Sequence, residues 1–183
     1  MRVEETAIPA VKILTPKKFG DARGFFSEVY SKAAWDAAGF AYVFVQDNHS
    51  YSAAVGTLRG LHFQVAPFAQ DKLIRVARGR ILDVAVDIRR ASPTFGRHVA
   101  IELSANNWRQ MLVPAGFAHG FVTLEPDCEV LYKASAPYAP ACERGVAFDD
   151  PAIGVVWPLP DGGPTLSERD KRWRLLAEAT DLF

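Results

Sequence analysis

Apolar and polar residues alternate with a period of two along several stretches of the chain. Within residues 79–90 one face of an extended chain carries four large apolar side chains, namely Leu82, Val84, Val86 and Ile88. Residues 97–105 repeat the alternation. Successive side chains point to opposite faces of a strand, so both segments predict strands. Shorter apolar runs predict five more, at Tyr42–Gln46, Leu73–Ala77, Gln110–Val113, Gly120–Leu124 and Val130–Ala134.

The pattern as a whole predicts an all-β fold. At least seven strands separated by turns rich in Pro and Gly favour a meander that closes into a two-sheet sandwich or a barrel. Helical signals are few: Ser31 can cap a short helix that ends at Gly39, and Ser167 can open a longer one over residues 167–180. Residues 149–164 predict a covering loop. No linker or repeat divides the chain, so we expect one domain over residues 1–183.

Composition narrows the classes of function. The 183 residues are 49% hydrophobic and 23% charged, with 21 basic and 21 acidic side chains. A net charge of zero gives no electrostatic reason to expect nucleic acid or an anionic membrane as partner. Two cysteines cannot form a disulfide framework. The N-terminus lacks an apolar core of signal-peptide length, and no apolar run is long enough to span a membrane. We expect a cytoplasmic protein.

One histidine lies in a motif that is typical of ligand-binding β-barrels. The segment PAGFAHG has the PxGxxH spacing of the second cupin motif, with His119 as its histidine. In metal-binding cupins the first motif supplies two more histidines as HxH. Here the matching place reads His62, Phe63, Gln64, so a neutral amide replaces one imidazole. Because a stable first-row metal site usually needs three or more His or carboxylate ligands, we expect no metal.

Without a metal ion, acid–base catalysis is the chemistry that these side chains can perform. Imidazole titrates near pH 6.5, which makes His62 the leading candidate base. For an isolated strand histidine, however, a core position with a hydrogen bond to a backbone carbonyl is the more common case. Arg59 lies three residues earlier, an odd spacing that puts the two side chains on opposite faces of a regular strand. Both can reach one cavity only if Gly60 allows a bulge or twist.

Three further residues have a structural and a chemical interpretation. Lys72 can be a solvated lysine beside Asp71, Tyr132 a core aromatic, and Asp170 a capping-box carboxylate three residues after Ser167. The segment QDNHS, from Gln46 to Ser50, can be a turn. From these patterns alone, the chain is a cupin-like domain with a candidate acid–base pocket.

Taken together, the motifs resemble the dTDP-4-dehydrorhamnose 3,5-epimerase family. The resemblance runs in order from about Thr6 to Asp170 through KKFGDARGFFSEVY, FVQDNHS, LRGLHFQ, AQDKLIRVARG, DVAVDIRRASPTFGRHV, LVPAGFAHGFVTLE, LYKASAPYAP and LSERD. It implies a cupin jelly roll, a homodimer, and neither metal nor cofactor. It also implies inversion of carbons 3 and 5 of dTDP-4-dehydro-6-deoxy-D-glucose, which gives dTDP-4-dehydro-L-rhamnose.

The resemblance assigns roles by position. His62 resembles the base, Asp170 its carboxylate partner, Tyr132 the proton donor from the other face, and Lys72 the group that binds the developing oxyanion. The positions that match the substrate site are Arg23, Glu28, Gln46, Asp47, Asn48, Arg59, Lys72, His119, Glu143 and Arg169. An N-terminal arm of about residues 1–30 is expected to help form the partner subunit's site.

Two positions depart from the family pattern, and two other functions stay open. Arg169 stands where lysine is common, and Asp71 where glycine is common. A monoepimerase or ketoisomerase acting on the same dTDP-sugar is one alternative, since small pocket differences decide whether a second proton is removed. A sugar-nucleotide-binding cupin without activity is the other, although retention of both His62 and Tyr132 weighs against it.

Overall fold

The computed structural model describes all 183 residues, and its regular elements are mostly strands. They are β1 (Arg2–Glu5), β2 (Lys12–Thr15), β3 (Phe19–Asp21), β4 (Gly24–Phe26), β5 (Gln46–Ser52), β6 (Leu58–Gln64), β7 (Lys72–Arg78), β8 (Arg80–Asp87), β9 (His98–Ser104), β10 (Gln110–Val113), β11 (Phe117–Thr123), β12 (Cys128–Ala134) and β13 (Glu143–Gly145). One α-helix, α1, spans Lys32–Ala37, and 3₁₀ turns occupy Pro140–Cys142, Asp170–Arg172 and Leu176–Glu178. No helix is long and apolar enough to cross a membrane.

Two antiparallel sheets face each other. The larger has the order β1-β2-β10-β7-β12-β5, and the smaller has the order β13-β6-β11-β8-β9, while β3 and β4 form a separate hairpin. Neighbours in each sheet are mostly distant in sequence, as in a jelly roll and unlike a simple meander. The all-β, cupin-type jelly roll predicted from the sequence is confirmed.

The space between the sheets is apolar over most of its length and polar at one end. Ile74, Val76 and Met111 from the larger sheet meet Ile81 and Phe121 from the smaller in the main core. Farther along β7 and β12 the same inward faces carry Lys72 and Tyr132, which line a cavity. The alternation of the strands therefore supplies both the core and the walls of the cavity.

The outer face of the smaller sheet is also buried. The face of β8 that carries Val84 and Val86 packs with Leu61 against Ile153 and Leu176 from the irregular C-terminal segment. This covering explains why the outward face of β8 is apolar although it points away from the space between the sheets. The predicted covering loop at residues 149–164 has no helix or strand.

Helix α1 covers the outer face of the larger sheet. Its Trp35 is buried against Leu14, Leu73 and Leu112. As the sequence predicts, the Ser31 hydroxyl caps the helix by accepting a hydrogen bond from the backbone N–H of Ala34 (3.4 Å).

Two predictions for residues 42–50 are wrong. The strand expected over Tyr42–Gln46 begins only at Gln46, because Tyr42 and Phe44 turn aside to pack around Trp35. The segment QDNHS is correspondingly a strand and not a turn.

The helix expected over residues 167–180 is replaced by two 3₁₀ turns separated by an extended stretch at Trp173. Hydrogen bonds to remote parts of the chain keep that stretch extended. The N–H of Ala147 donates to the carbonyl of Arg174 (2.8 Å), and the N–H of Leu176 donates to the Asp150 carboxylate (2.6 Å). These contacts outweigh the helical propensity of the segment.

A bulge at Gly60 resolves the spacing of Arg59 and His62. The register of β6 with β11 shifts between His119 and Phe121, and both Arg59 and His62 line the cavity. Gly60 has φ of +125°, and a Cβ atom there would lie 2.5 Å from the Cα of Gly120. Only glycine fits both the backbone angle and the close approach of the two strands.

We expect Gly60→Ala to lower the free energy of unfolding by about 2 kcal/mol or more, because it adds strain at positive φ and a backbone clash. Chemical denaturation measures the loss. The matched control is Gly162→Ala, where a Cβ meets nothing within 4 Å. If both variants were equally stable, the bulge would not depend on glycine.

Candidate active site

A cavity of about 560 Å³ opens between the two sheets. It brings together ten of the residues predicted for the site: Gln46, Asn48, Arg59, His62, Lys72, His119, Tyr132, Glu143, Arg169 and Asp170. Strands of both sheets contribute, so the side chains face one another across the cavity. The pattern of inward-facing polar residues on β5, β6, β7 and β12 thus converges on one place.

His62 and Asp170 form a hydrogen-bonded pair. The Nε2 of His62, on β6, lies 2.5 Å from Oδ1 of Asp170, which sits in the 3₁₀ turn Asp170–Arg172. The Ser167 hydroxyl donates to the other carboxylate oxygen, Oδ2 (2.9 Å). The backbone N–H of Asp170 in turn donates to the Ser167 hydroxyl (3.1 Å). The predicted capping contact and the predicted partnership with His62 therefore exist together.

The pair has a defined proton arrangement. Burial by itself raises the pKa of Asp170, but hydrogen bonds from His62, Ser167 and Trp173 and the charge of His62 bring the pKa below its usual value. An ionised carboxylate can only accept hydrogen bonds, so Nε2 of His62 carries the hydrogen. The other ring nitrogen, Nδ1, then has a lone pair and can accept a proton.

Lys72 is a buried cation that lines the cavity. It is 9% exposed, and its Nζ donates to the carbonyl of His62 (3.4 Å). Burial lowers the pKa of Lys72 from 10.5 to about 8, while the charges of Asp83 and Glu143 oppose that shift. The solvated surface position is thereby ruled out. At neutral pH the ammonium group is mostly charged and poorly hydrated.

Tyr132 lies on the larger sheet, across the cavity from His62. Burial raises the pKa of its hydroxyl, and the positive charge of Arg59 only partly offsets this. The phenol therefore stays protonated at neutral pH and can donate a proton. The position is not simply a core aromatic, because the side chain lines the cavity as well as packing against the core.

A second His–Asp pair escaped the sequence-based assignment. His119 Nε2 lies 2.8 Å from Oδ1 of the fully buried Asp83. The pKa of Asp83 is raised by burial, although His119 and Lys72 act in the opposite direction. Its Oδ2 has no hydrogen-bond partner. The available signal was an aspartate on the inward face of β8, between Ile81 and Ala85.

Tyr138 was also missed and stands at the mouth of the cavity. Its hydroxyl donates to Glu143 (2.8 Å), which also pairs with Arg169. The side-chain oxygen of Gln46 accepts a hydrogen bond from the backbone N–H of Tyr138 (2.8 Å). Arg169, one of the departures from the family pattern, is therefore held at the mouth by an acidic partner.

Three predicted binding residues lie outside this cavity. Asp47 is on the opposite face of β5, where its carboxylate pairs with Lys133 (2.8 Å). Arg23 is at the tip of the β3–β4 hairpin, with its side chain 90% exposed and paired only with Asp21. Glu28 follows that hairpin and does not line the cavity. One chain alone does not bring these residues to the site.

The amide of Gln64 is used structurally. Its nitrogen donates to the carbonyls of Phe68 (2.7 Å) and Pro137 (3.1 Å), and its oxygen accepts from the N–H of Ala139 (2.8 Å). All three bonds fasten loops at the rim of the cavity. No group of three or more His, Cys, Asp or Glu side chains is arranged to hold a metal ion.

The chain matches known proteins over nearly its whole length. The family model of dTDP-4-dehydrorhamnose 3,5-epimerase matches residues 5–178. A dTDP-4-dehydrorhamnose 3,5-epimerase from Pseudomonas aeruginosa is 51% identical over 180 residues, which cover 98% of each chain.

Solved structures show the same fold. A dTDP-6-deoxy-D-glucose-3,5-epimerase from Legionella pneumophila, in complex with dTDP-4-keto-L-rhamnose, is 41% identical with a TM-score of 0.93, over 98% of this chain and 94% of that one. A 3'-monoepimerase from Streptomyces bikiniensis, in complex with dTDP-quinovose, is 34% identical with a TM-score of 0.87, over 94% and 87%. By sequence and by fold, the chain belongs to the dTDP-4-dehydrorhamnose 3,5-epimerase family.

Proposed function

We propose that the cavity between the sheets performs the family's reaction with His62 as base, Tyr132 as acid and Lys72 as the oxyanion-binding group. The substrate is dTDP-4-dehydro-6-deoxy-D-glucose, inverted at carbons 3 and 5 on the route to dTDP-L-rhamnose. The ketone at carbon 4 acidifies the hydrogens on both neighbouring carbons. Removal of one hydrogen gives an enolate, and return of a proton to the opposite face inverts the centre.

The observation that carries this proposal is the placement of base and acid on opposite walls. His62 is on β6 of the smaller sheet and Tyr132 on β12 of the larger. A sugar ring between them has a proton acceptor on one face and a donor on the other, as inversion requires. Two such groups on one wall would return the proton to the face that lost it.

The hydrogen bond between His62 and Asp170 assists His62 as the base. When His62 takes a proton on Nδ1, the ring becomes an imidazolium that donates from both nitrogens. The adjacent Asp170 carboxylate stabilises that charge and fixes the ring orientation. A positioned general base contributes about 10²- to 10⁴-fold to the rate.

The ammonium group of Lys72 is placed to stabilise the negative charge of the enolate. A buried ammonium interacts with a developing oxyanion more strongly than a hydrated one does, because little water screens it. The charges of Asp83 and Glu143 favour its protonated form in spite of burial. Lys72 lies on β7, beside β12, so it shares a wall with the acid.

The cationic groups near the mouth suit the nucleotide. Arg59 donates to the carbonyl of Tyr51 (3.1 Å) and lines the cavity, and Arg169 stands opposite Glu143. Guanidinium groups bind diphosphate oxygens through forked, charge-assisted hydrogen bonds. We assign these two arginines to the diphosphate and the inner cavity to the sugar.

Single inversion is the remaining alternative for the reaction outcome. The monoepimerase from Streptomyces bikiniensis has the same fold, so architecture does not separate one inversion from two. The higher identity to double epimerases and the match to their family model favour two.

We further propose that the chain works as one domain in a cytoplasmic homodimer. Strands β1 and β2 of the predicted arm belong to the chain's own larger sheet, and the part that projects is the β3–β4 hairpin. That hairpin exposes Phe19, Phe25 and Phe26, the last at 71%. Such an apolar projection is suited to a partner subunit, where it would bring Arg23 and Glu28 to the partner's cavity.

The first prediction separates base from acid. In heavy water, His62→Ala should lose exchange at carbons 3 and 5 by 10²-fold or more. Tyr132→Phe should still exchange them while losing most of the inversion, because the base remains and the donor does not. Proton NMR of the dTDP-sugar, with reductive trapping of the product, distinguishes these results.

The controls are a histidine and a tyrosine outside the cavity. His49 pairs with Glu129 and Tyr51 with Asp127, both beyond the site. His49→Ala and Tyr51→Phe should exchange and invert normally. Full epimerisation by His62→Ala would show that the base is another group.

The second prediction concerns the buried charge of Lys72. Lys72→Met should reduce turnover at least 100-fold, through loss of the oxyanion contact. At pH 7 it should also be more stable than the native chain, by on the order of 1–3 kcal/mol, because it removes a buried charge.

The sign follows from linkage. Below pH 8, Lys72 is protonated in both the folded and the unfolded chain, and the folded state is destabilised by burial of the charge. Between about pH 8 and 10.5 the folded state loses the proton first, so native stability rises and the advantage of Lys72→Met shrinks. Urea unfolding at several pH values tests this, with Lys133→Met as the control at an outer-face lysine. A destabilised Lys72→Met would contradict the assignment of a costly buried charge.

The third prediction tests whether the partner contributes Arg23. Arg23→Ala and His62→Ala should each have low activity. Mixed dimers, formed by coexpression, should contain one site with both native residues. With random pairing, total activity should approach about a quarter of the native value. Activity no higher than the average of the two parents would place Arg23 in its own chain's site or outside any site.

A further inference from the structure

We propose that Trp173 is a positioning residue that sets the strength of the His62–Asp170 base by sharing the carboxylate oxygen to which His62 is bonded. The inference rests on the proposed function, since it takes His62 as the base. Nothing in the sequence motifs pointed to Trp173, which falls within the stretch predicted to be helical.

The contacts place the indole against both members of the pair. Its ring meets the imidazole of His62 edge-on, with centroids 5.9 Å apart and an interplanar angle of 69°. Its Nε1–H donates to Oδ1 of Asp170 at 3.4 Å. That oxygen is the one that lies 2.5 Å from His62 Nε2, so two donors share it.

The neighbouring sheet is shaped to hold the indole. Gly145, on β13, is the direct cross-strand partner of His62 on β6. A Cβ atom on Gly145 would lie only 2.4 Å from the indole Cε2. The missing side chain therefore leaves the space that the indole fills beside His62.

The backbone keeps Trp173 at that place. The residue is extended between two 3₁₀ turns, and the bonds from Ala147 to Arg174 and from Leu176 to Asp150 anchor the chain on its C-terminal side. Trp173 does not line the active cavity, but it lines a separate cavity of about 340 Å³ behind it. The indole thus stands between the carboxylate and that second cavity, and Asp170 is only 5% exposed.

The consequence concerns how strongly Asp170 stabilises the protonated base. A donor on Oδ1 disperses part of the negative charge that would otherwise face the imidazolium. Removing the indole N–H concentrates that charge on the bond to His62. The protonated base is then favoured, and it persists to higher pH.

The test is Trp173→Phe, which keeps an aromatic ring against Gly145 and His62 but removes the donor. The readout is kcat/KM for exchange at carbons 3 and 5 as a function of pH. We expect its acidic limb to move to higher pH by about half a unit, with the plateau changed less than about threefold. NMR titration of the histidine ring protons should show the same displacement.

The matched control is Trp157→Phe. The indole of Trp157 donates to the carbonyl of Phe148 (2.8 Å), away from the pair, so its loss should leave the acidic limb in place even if melting is earlier. Gly145→Ala is a second route, because it displaces the indole without changing it and should shift the limb in the same direction.

Two results would overturn the inference: an acidic limb of Trp173→Phe that coincides with the native one, or an equal shift in Trp157→Phe. Neither would touch the assignment of the base, which His62→Ala tests separately. Conversely, an active His62→Ala would remove the base, and the inference with it, whatever Trp173→Phe showed.

Discussion

The site depends on burying charged groups between two sheets that share an apolar core. Lys72, Asp83 and Asp170 are all nearly inaccessible to water, and an isolated charge in such a place is strongly unfavourable. Each is offset by neighbours: Asp83 by His119 and Lys72, Asp170 by His62 and Ser167, and Lys72 by the charges of Asp83 and Glu143. The strands that supply these neighbours must therefore be in the correct register, and the apolar core beside the cavity fixes that register.

The same arrangement gives the groups their chemical character. Burial raises the pKa of the Tyr132 hydroxyl and keeps it a donor, whereas burial lowers the pKa of Lys72 to about 8. Hydrogen bonds keep Asp170 ionised despite burial. One cavity thus holds a neutral acid, a charged carboxylate and an ammonium group, because each has different partners.

Local pattern predicts the strands well where alternation is long. The position of β8 follows from its alternation and the bounds of β10 from a short apolar run, although the fold buries both faces of these strands. The segment 167–180 could not be predicted in the same way. Its helical spacing competes with hydrogen bonds to residues 147 and 150 that only the folded chain supplies.

The site residues divide along the same line. Motif resemblance identified His62, Lys72, Tyr132 and Asp170, whose roles are proposals that the geometry supports. Asp83, Tyr138 and Trp173 were missed because their roles depend on contacts that no sequence motif shows. Trp173 gains its place from Gly145, and Asp83 from His119. The outward direction of Asp47 could be obtained only after β5 was known to begin at Gln46.

The strands precede Asp170 in the sequence, and this order has a consequence for folding during synthesis. Every strand of both sheets is complete by Gly145, whereas Asp170 reaches His62 across 108 residues of sequence. A growing polypeptide can therefore pair all its strands before the partner of the base has left the ribosome. Chain order thus allows the two sheets to pair before Asp170 can reach His62. The cavity, whose wall includes Ser167, Arg169 and Asp170, is completed only by some of the last residues to emerge.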